Sequence, residues 1–267
     1  MKKTVLGVIG AGNVGRVHIS NIMTVIPQAK LKYVADPYPA KYNEWAKDME
    51  YPEAITDYKK IMADPEVEAV VICAPAAAHG DLIMEAAKAG KHVFCEKPFD
   101  YDIAKIVKAM KVVEECKVKL QLGFNRRFDH NFAKAHEYVK AGKIGDVHVI
   151  KITSRDPFPP AMGYFTAPGG EHCSIYTDTT IHDFDMARFL NNCEVVEVYA
   201  MGSKLINKDK PKLPVMTLAL SPCDLKIIRL PLSTTLGKRF TVTINAPKFL
   251  ELKARSPLRT TFSRKRR

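Results

Sequence analysis

The sequence has no apolar stretch approaching the length of a membrane-spanning helix. It also lacks a Cys-x-x-Cys pair, and no histidine sits at zinc-ligand spacing from a cysteine. The six cysteines (Cys73, Cys95, Cys116, Cys173, Cys193, Cys223) are scattered. This argues against a disulfide framework and a metal site, and suits reduced thiols in a cytoplasmic protein. Net charge is nearly absent from residues 1–202, because the formal excess of +12 lies beyond them. A basic nucleic-acid-binding body is thereby excluded, and only the tail is left as a candidate for such a role.

What remains is an ordinary globular composition, 46% hydrophobic and 26% charged, in 267 residues. That length holds one large domain or two modest ones. Met1-Lys2-Lys3 and the short apolar run after it superficially suggest a leader peptide. Gly7, Gly10 and Gly12 interrupt the run with no cleavage pattern, so it reads as a first buried strand.

That strand, residues 4–9, meets Gly10-Ala11-Gly12-Asn13-Val14-Gly15, and a helical pattern follows. A second strand, 31–35, ends at Asp36. A lone Gly-x-Gly-x-x-Gly is weak. Placed between strand and helix, with an acid closing the next strand, it is the context a dinucleotide requires. Gly10 permits the tight turn, Gly12 lets the backbone approach a pyrophosphate, and Gly15 lets helix and strand pack closely. The helix start offers free N–H groups and a positive dipole end to phosphates. Asp36 accepts hydrogen bonds from ribose hydroxyls and repels a 2′-phosphate, so the cofactor expected is NAD. The alternative is a structural glycine turn with an unrelated surface aspartate.

The alternation continues with helices at 39–49 and 57–63, strand 68–73, helix 80–89, strand 92–95, helix 102–116 and strand 118–122. This predicts an α/β fold, a doubly wound parallel sheet of Rossmann type over residues 1–122. Ligands bind beyond the C-terminal strand ends of such sheets, so Gly10, Asp36, Pro75 and Lys97 should face one crevice. Lys97, fixed by Pro98 after a buried strand, is the most informative single residue. A solvent-facing lysine is its ordinary alternative.

Together, Gly10 to Gly15, Asp36, Cys73-Ala74-Pro75 with His79, and Glu96-Lys97-Pro98 resemble the glucose-fructose oxidoreductase and inositol dehydrogenase family. Gly123-Phe124-Asn125-Arg126-Arg127-Phe128-Asp129 and Thr180-Ile181-His182-Asp183-Phe184-Asp185-Met186-Ala187-Arg188 resemble its inositol 2-dehydrogenase branch. The resemblance spans roughly residues 4–217. It implies an α+β substrate domain with an open, mainly antiparallel sheet, here truncated over 123–223. It implies NAD-dependent oxidation of a secondary hydroxyl on a cyclic polyol or sugar, myo-inositol first, and assembly into homo-oligomers. It assigns the cofactor to Gly10, Gly12, Asn13, Val14, Gly15 and Asp36, with Pro75, His79 and Glu96 at the neighbouring strand ends. Lys97 would hydrogen-bond the reacting hydroxyl, His182 would be the general base, Asp178 would hold the site, and Arg127 would lie near substrate hydroxyls. Spacing supports one pair independently: Asp178 and His182, four apart, share a face on an α-helix. A plain helix-stabilising Asp–His pair is the alternative. Two segments depart from the family pattern. Ala76-Ala77-Ala78 replaces a polar loop, and Gly169-Gly170-Glu171-His172-Cys173-Ser174-Ile175 is longer than the usual approach to the aspartate. His172 and Cys173 have no metal-binding partners in the sequence and read as loop.

The tail, residues 224–267, ends in Ser263-Arg264-Lys265-Arg266-Arg267 and shows no trace of the Tyr-Gly-Tyr-Asp-Gln-Arg element of the family sheet. Residues 233–246 can be written with codons that, read one base earlier, encode that element. The tail therefore reads as a frameshifted translation that deprives the site of its supporting sheet, so this chain is expected to bind NAD weakly at best and to turn over little or nothing. Two readings stand behind the dehydrogenase: a related sugar dehydrogenase or binding-only remnant, and then a basic arm binding phosphate backbones. The encoding DNA decides the tail. From about codon 224 the alternative frame should stay open and contain a Tyr-Gly-Tyr-Asp-Gln-Arg-like element; an early stop would make the basic arm a feature in its own right.

Overall fold

The computed structural model describes residues 2–155, 174, 176–191 and 193–202, and beyond these the strand backbone of 216–221, 227–228, 239–245, 250–255 and 261–263. The chain divides into two compact units, Met1–Gly123 and Phe124–Arg267. The segment 169–173 and Ile175, including the His172-Cys173 pair, lies outside the described residues.

In the first unit, β1 (Thr4–Ile9), α1 (Asn13–Thr24), β2 (Ala29–Ala35), α2 (Ala40–Ala46), β3 (Ala54–Ile55), α3 (Lys59–Ala63) and β4 (Ala69–Ile72) follow in order. After a 3₁₀ turn at Ala76–Ala78 come α4 (His79–Lys88), β5 (His92–Cys95), α5 (Ile103–Glu115) and β6 (Leu120–Leu122). The six strands are parallel and ordered β3-β2-β1-β4-β5-β6. The order reverses beside β1, and there the C-terminal ends of β1 and β4 open a crevice. Val8, Val70, Ile72 and Val93 are buried in the sheet, as the near-continuous apolar runs require of strands covered on both faces. The edge strand β3 is absent from the sequence reading, since two residues after a proline carry no periodicity.

Glycine makes the first turn possible. Gly10 has φ +96°, and a Cβ there would lie 2.6 Å from the backbone of Cys73. A Cβ on Gly15 would lie 2.0 Å from the Gly10 carbonyl oxygen. Helix α1 can rest on β1 only because both are absent.

In the second unit, a 3₁₀ turn at Asn125–Phe128 leads into α6 (His130–Lys140) and β7 (Val149–Arg155). Asp129 caps α6 by accepting from the N–H groups of Asn131 and Phe132. A π-helical turn, Tyr176–Thr180, precedes α7 (Ile181–Asn191). Phe132, Ala135, Ile150, Ile152, Met186 and Leu190 form the core between α6, α7 and β7. The remaining strands are β8 (Glu197–Gly202), β9 (Met216–Ser221), β10 (Ile227–Ile228), β11 (Arg239–Asn245), β12 (Leu250–Arg255) and β13 (Thr261–Ser263). They form two antiparallel sheets, β10-β9-β8 and β13-β12-β11-β7, and β10 runs beside β7.

The tail itself supplies strand backbone: β11 pairs with β7 from Arg239 opposite Arg155 to Asn245 opposite Val149. The physical reason is local. Phe240-Thr241-Val242-Thr243-Ile244 alternates with period two and is rich in β-branched residues, so it favours a strand whatever reading frame produced it.

The two loop glycines should differ sharply on substitution. A Cβ on Gly12 meets nothing within 4 Å, and its φ of −67° suits any residue. Gly15→Ala should cost roughly 3 kcal/mol, since backbone cannot yield as a side chain can, and Gly12→Ala no more than about 1 kcal/mol. Urea unfolding followed by fluorescence of the single tryptophan, Trp45 in the first unit, measures both. Equal losses would contradict this account of the turn.

Candidate active site

The crevice begins at the glycine loop. Gly10 N–H donates to the Ala35 carbonyl at 2.8 Å and Cys73 N–H to that of Ile9 at 2.7 Å, which ties the ends of β2, β1 and β4 together. Asp36 sits over this junction. One carboxylate oxygen accepts from Ala11 N–H and the other from Tyr38 N–H, each at 2.8 Å. A carboxylate offers about four lone-pair sites, so this bracing leaves acceptor capacity for ligand hydroxyls. Helix α1 starts at Gly12 with no side-chain cap, and Gly12, Asn13 and Val14 are exposed there. Open space over Gly12, an uncapped helix start and a braced carboxylate fit a dinucleotide with an unsubstituted ribose. Arg16 does not join this set: it donates to the carbonyls of Ala11 and Lys41 and lies over the Trp45 ring.

The ends of β4 and β5 supply the next residues. Pro75 is exposed, and Lys97, half-buried, precedes Pro98 across a cis peptide. Glu96 accepts from Lys97 N–H at 3.2 Å, and its other oxygen lies 2.7 Å from His18 Nε2. Burial disfavours ionisation of Glu96, but the His18 hydrogen bond and charge, with the Lys97 amide and ammonium, outweigh it and hold the carboxyl below its ordinary range. Beneath the crevice, burial pushes the Cys73 and Cys95 thiols well up, which makes them inert.

His79 needs correcting. The sequence places it among the cofactor contacts. In the structure its ring is 1% exposed, with Nδ1 and Nε2 each 2.7 Å from a carbonyl oxygen, of Pro98 and Ala74 respectively. It clamps the β4 and β5 loops to each other and presents no nitrogen to the crevice. Asp100, which the sequence reading passes over, adds a second clamp. It is buried, accepts from the N–H groups of Gly80, Tyr101 and Asp102, and pairs with Lys105. A sequence signal for it exists only as an acid closely following Lys97-Pro98.

The remaining candidates lie in the second unit. Asp178 occupies the π-helical turn, its N–H donating to the Ser174 carbonyl at 3.0 Å, and His182 opens α7. Both are half-buried. The sequence expects them on one α-helical face; the wider π turn changes that geometry, and such turns recur at functional sites. The His182 ring stands edge-on to Phe124, centroids 6.3 Å apart.

A buried polar network flanks His182. Arg126 bonds Asp183 and Ser154, and Ser154 bonds Asp183, which joins the turn after Phe124, strand β7 and α7. Arg127 forks onto Asp185 through Nε and Nη2 and lies over the Phe189 ring. The Asp185 hydrogen bond and charge outweigh burial and hold the Arg127 guanidinium more firmly protonated. Its first role is thus to fasten the turn to α7. Sequence reasoning missed the Arg126 network, because two adjacent arginines look alike until their carboxylates are placed.

The known proteins bear on these units separately. Residues 5–124 match the oxidoreductase family described as having a NAD-binding Rossmann fold, and residues 132–221 match the GFO/IDH/MocA C-terminal domain. A myo-inositol 2-dehydrogenase of Thermotoga maritima is 41% identical over 204 residues, covering 76% of this chain and 60% of its own length. An inositol 2-dehydrogenase of Rhizobium meliloti is 43% identical over 202 residues, covering 76% of this chain and 59% of its own. The crystal structure of scyllo-inositol dehydrogenase from Lactobacillus casei with bound NAD(H) and scyllo-inositol superposes with a TM-score of 0.79 at 29% identity. That match covers 94% of this chain and 76% of the other. The chain spans about three-fifths of the length of the curated relatives it matches. With both halves matched in order, the chain belongs to the GFO/IDH/MocA family of NAD-binding oxidoreductases.

Proposed function

We propose that the protein is an NAD-dependent dehydrogenase that oxidises a secondary hydroxyl of a cyclic polyol to a ketone, with myo-inositol the first candidate substrate. One observation carries the reading. The glycine loop, Asp36 and Lys97 close β1, β2 and β5 at the same edge of one parallel sheet. The named inositol dehydrogenases among the relatives support the substrate class.

In this reading the glycine loop and Asp36 hold the dinucleotide, and Asp36 selects against a 2′-phosphate by charge. NAD, when bound, supplies the acceptor for the hydride that leaves the carbinol carbon. Lys97 donates a hydrogen bond to the reacting oxygen and stabilises negative charge as it develops there. The His182 imidazole accepts the hydroxyl proton, as suits a base working near neutral pH. Asp178 orients the imidazole. Arg127 holds other substrate hydroxyls as far as its fork onto Asp185 allows.

The test is initial-rate oxidation of myo-inositol, scyllo-inositol and glucose by the 267-residue chain, alongside Lys97→Met and His182→Ala. Each substitution should lower kcat by at least about 100-fold, as loss of a charge-stabilising donor or a proton-transfer group does, and leave NADH binding intact. Absence of turnover on every polyol and sugar, by this chain and by one with the frame restored from about codon 224, would reject the dehydrogenase reading. Unchanged kcat in either variant would reject that residue's role.

A further inference from the structure

His18 has no part in the reaction as set out above, yet it occupies a consequential position. It lies on α1, one turn beyond Gly15, on the helix whose uncapped start would meet the phosphates of a bound dinucleotide. Its Nε2 is 2.7 Å from Glu96 Oε1, and its ring stands edge-on to Phe94 of β5 at 5.1 Å. Glu96 hands the connection on. Its second oxygen accepts from Lys97 N–H at 3.2 Å, and its own N–H donates to the Ile72 carbonyl at the end of β4 at 2.9 Å. A Cβ on Gly123 would lie 3.0 Å from Glu96 Oε1, so the chain leaving β6 closes over the carboxylate. One carboxylate therefore meets the cofactor-facing helix, the lysine main chain and the end of the last strand.

Tethers that only hold helices together look different here. Lys105 bridges Asp81 and Asp100 between α4 and α5 and touches no residue of the proposed chemistry. In the His18–Glu96 pair the carboxylate cannot rotate without releasing the Lys97 amide. The side chains are 26% and 18% exposed, shielded enough for the bond to resist competition from water. One Glu96 oxygen thus holds His18 and the other the Lys97 amide, so the carboxylate couples the two.

We infer that His18 and Glu96 are positioning residues that fix Lys97 relative to the phosphate-binding end of α1, so that its ammonium is aimed when the dinucleotide binds. This rests on the dehydrogenase reading for what Lys97 does. Its structural content is independent of that reading.

Three variants of the full chain test it: His18→Ala, His18→Gln, which keeps an N–H for Glu96, and Glu96→Gln. The lysines are methylated reductively with ¹³C, and the Lys97 resonance is identified by its absence in Lys97→Arg. NADH dissociation constants, Tm, kcat and KM are measured on the same unmethylated proteins. His18→Ala should shift the NADH-bound Lys97 resonance and lower kcat about tenfold or more, the scale of a small misplacement. KM, NADH affinity and Tm should stay near wild type. His18→Gln should return both the resonance and kcat toward wild type, and Glu96→Gln should behave as His18→Ala does. An unmoved Lys97 resonance in His18→Ala overturns the inference. So does a kcat loss that tracks a fall in Tm and is not rescued by glutamine. Should the wild type and a frame-restored chain both bind NADH but oxidise nothing, the functional reading fails, and the resonance alone decides the positioning claim.

Discussion

The cofactor side of the molecule depends on backbone meeting backbone where β1 turns into α1. Two missing Cβ atoms, at Gly10 and Gly15, let the ends of β1 and β4 and the start of α1 converge. The rest follows from that contact. The end of β2 comes near enough for Asp36 to accept from Ala11 N–H, which braces the carboxylate over the glycine turn. Helix α1 lies low enough on the sheet for His18 to reach Glu96 across the end of β5. His79 and Asp100 then lock the β4 and β5 loops from below, so that Lys97 stands on a braced segment.

The second unit solves the same problem with charge. Its proposed base lies at the start of a helix that a π turn leads into. Arg126, Asp183 and Ser154 hold that helix to β7, while Arg127 and Asp185 hold it to the turn after Phe124. The Arg126–Asp183 pair is buried, with side chains 10% and 8% exposed, and contributes little net stability, because desolvation offsets attraction. Breaking it by removing a single partner costs about 3–5 kcal/mol, as a charge is left without compensation. Such a network favours a fixed geometry beside His182 over stability as such.

The parallel sheet was legible in the sequence because apolar runs, glycines and prolines mark each strand and helix, and five of its six strands lie where the pattern puts them. β3 escaped for lack of length. The place of Asp36 at the end of β2 was legible, because the apolar run of that strand stops at it. His79 was misread because a histidine near a strand end carries no mark of which way its nitrogens face; two backbone carbonyls settle that only in three dimensions. His18 and Asp100 escaped for the same reason, their partners being distant in sequence or hidden in a loop. The tail was read for the family element it lacks, and that element and strand formation are separate matters. Alternation of Phe240, Val242 and Ile244 with threonines suffices for pairing on β7, without restoring any residue of the family site.

The central claim is that this chain moves hydride from a polyol carbon to NAD. Isotope transfer tests it most directly. The protein is incubated with NAD and myo-inositol deuterated at the carbon bearing the reacting hydroxyl, and the reduced cofactor is isolated for mass analysis. The account predicts NADH carrying one deuterium, formed more slowly than from unlabelled inositol. Reduced cofactor without deuterium, or none from any inositol isomer, would contradict it.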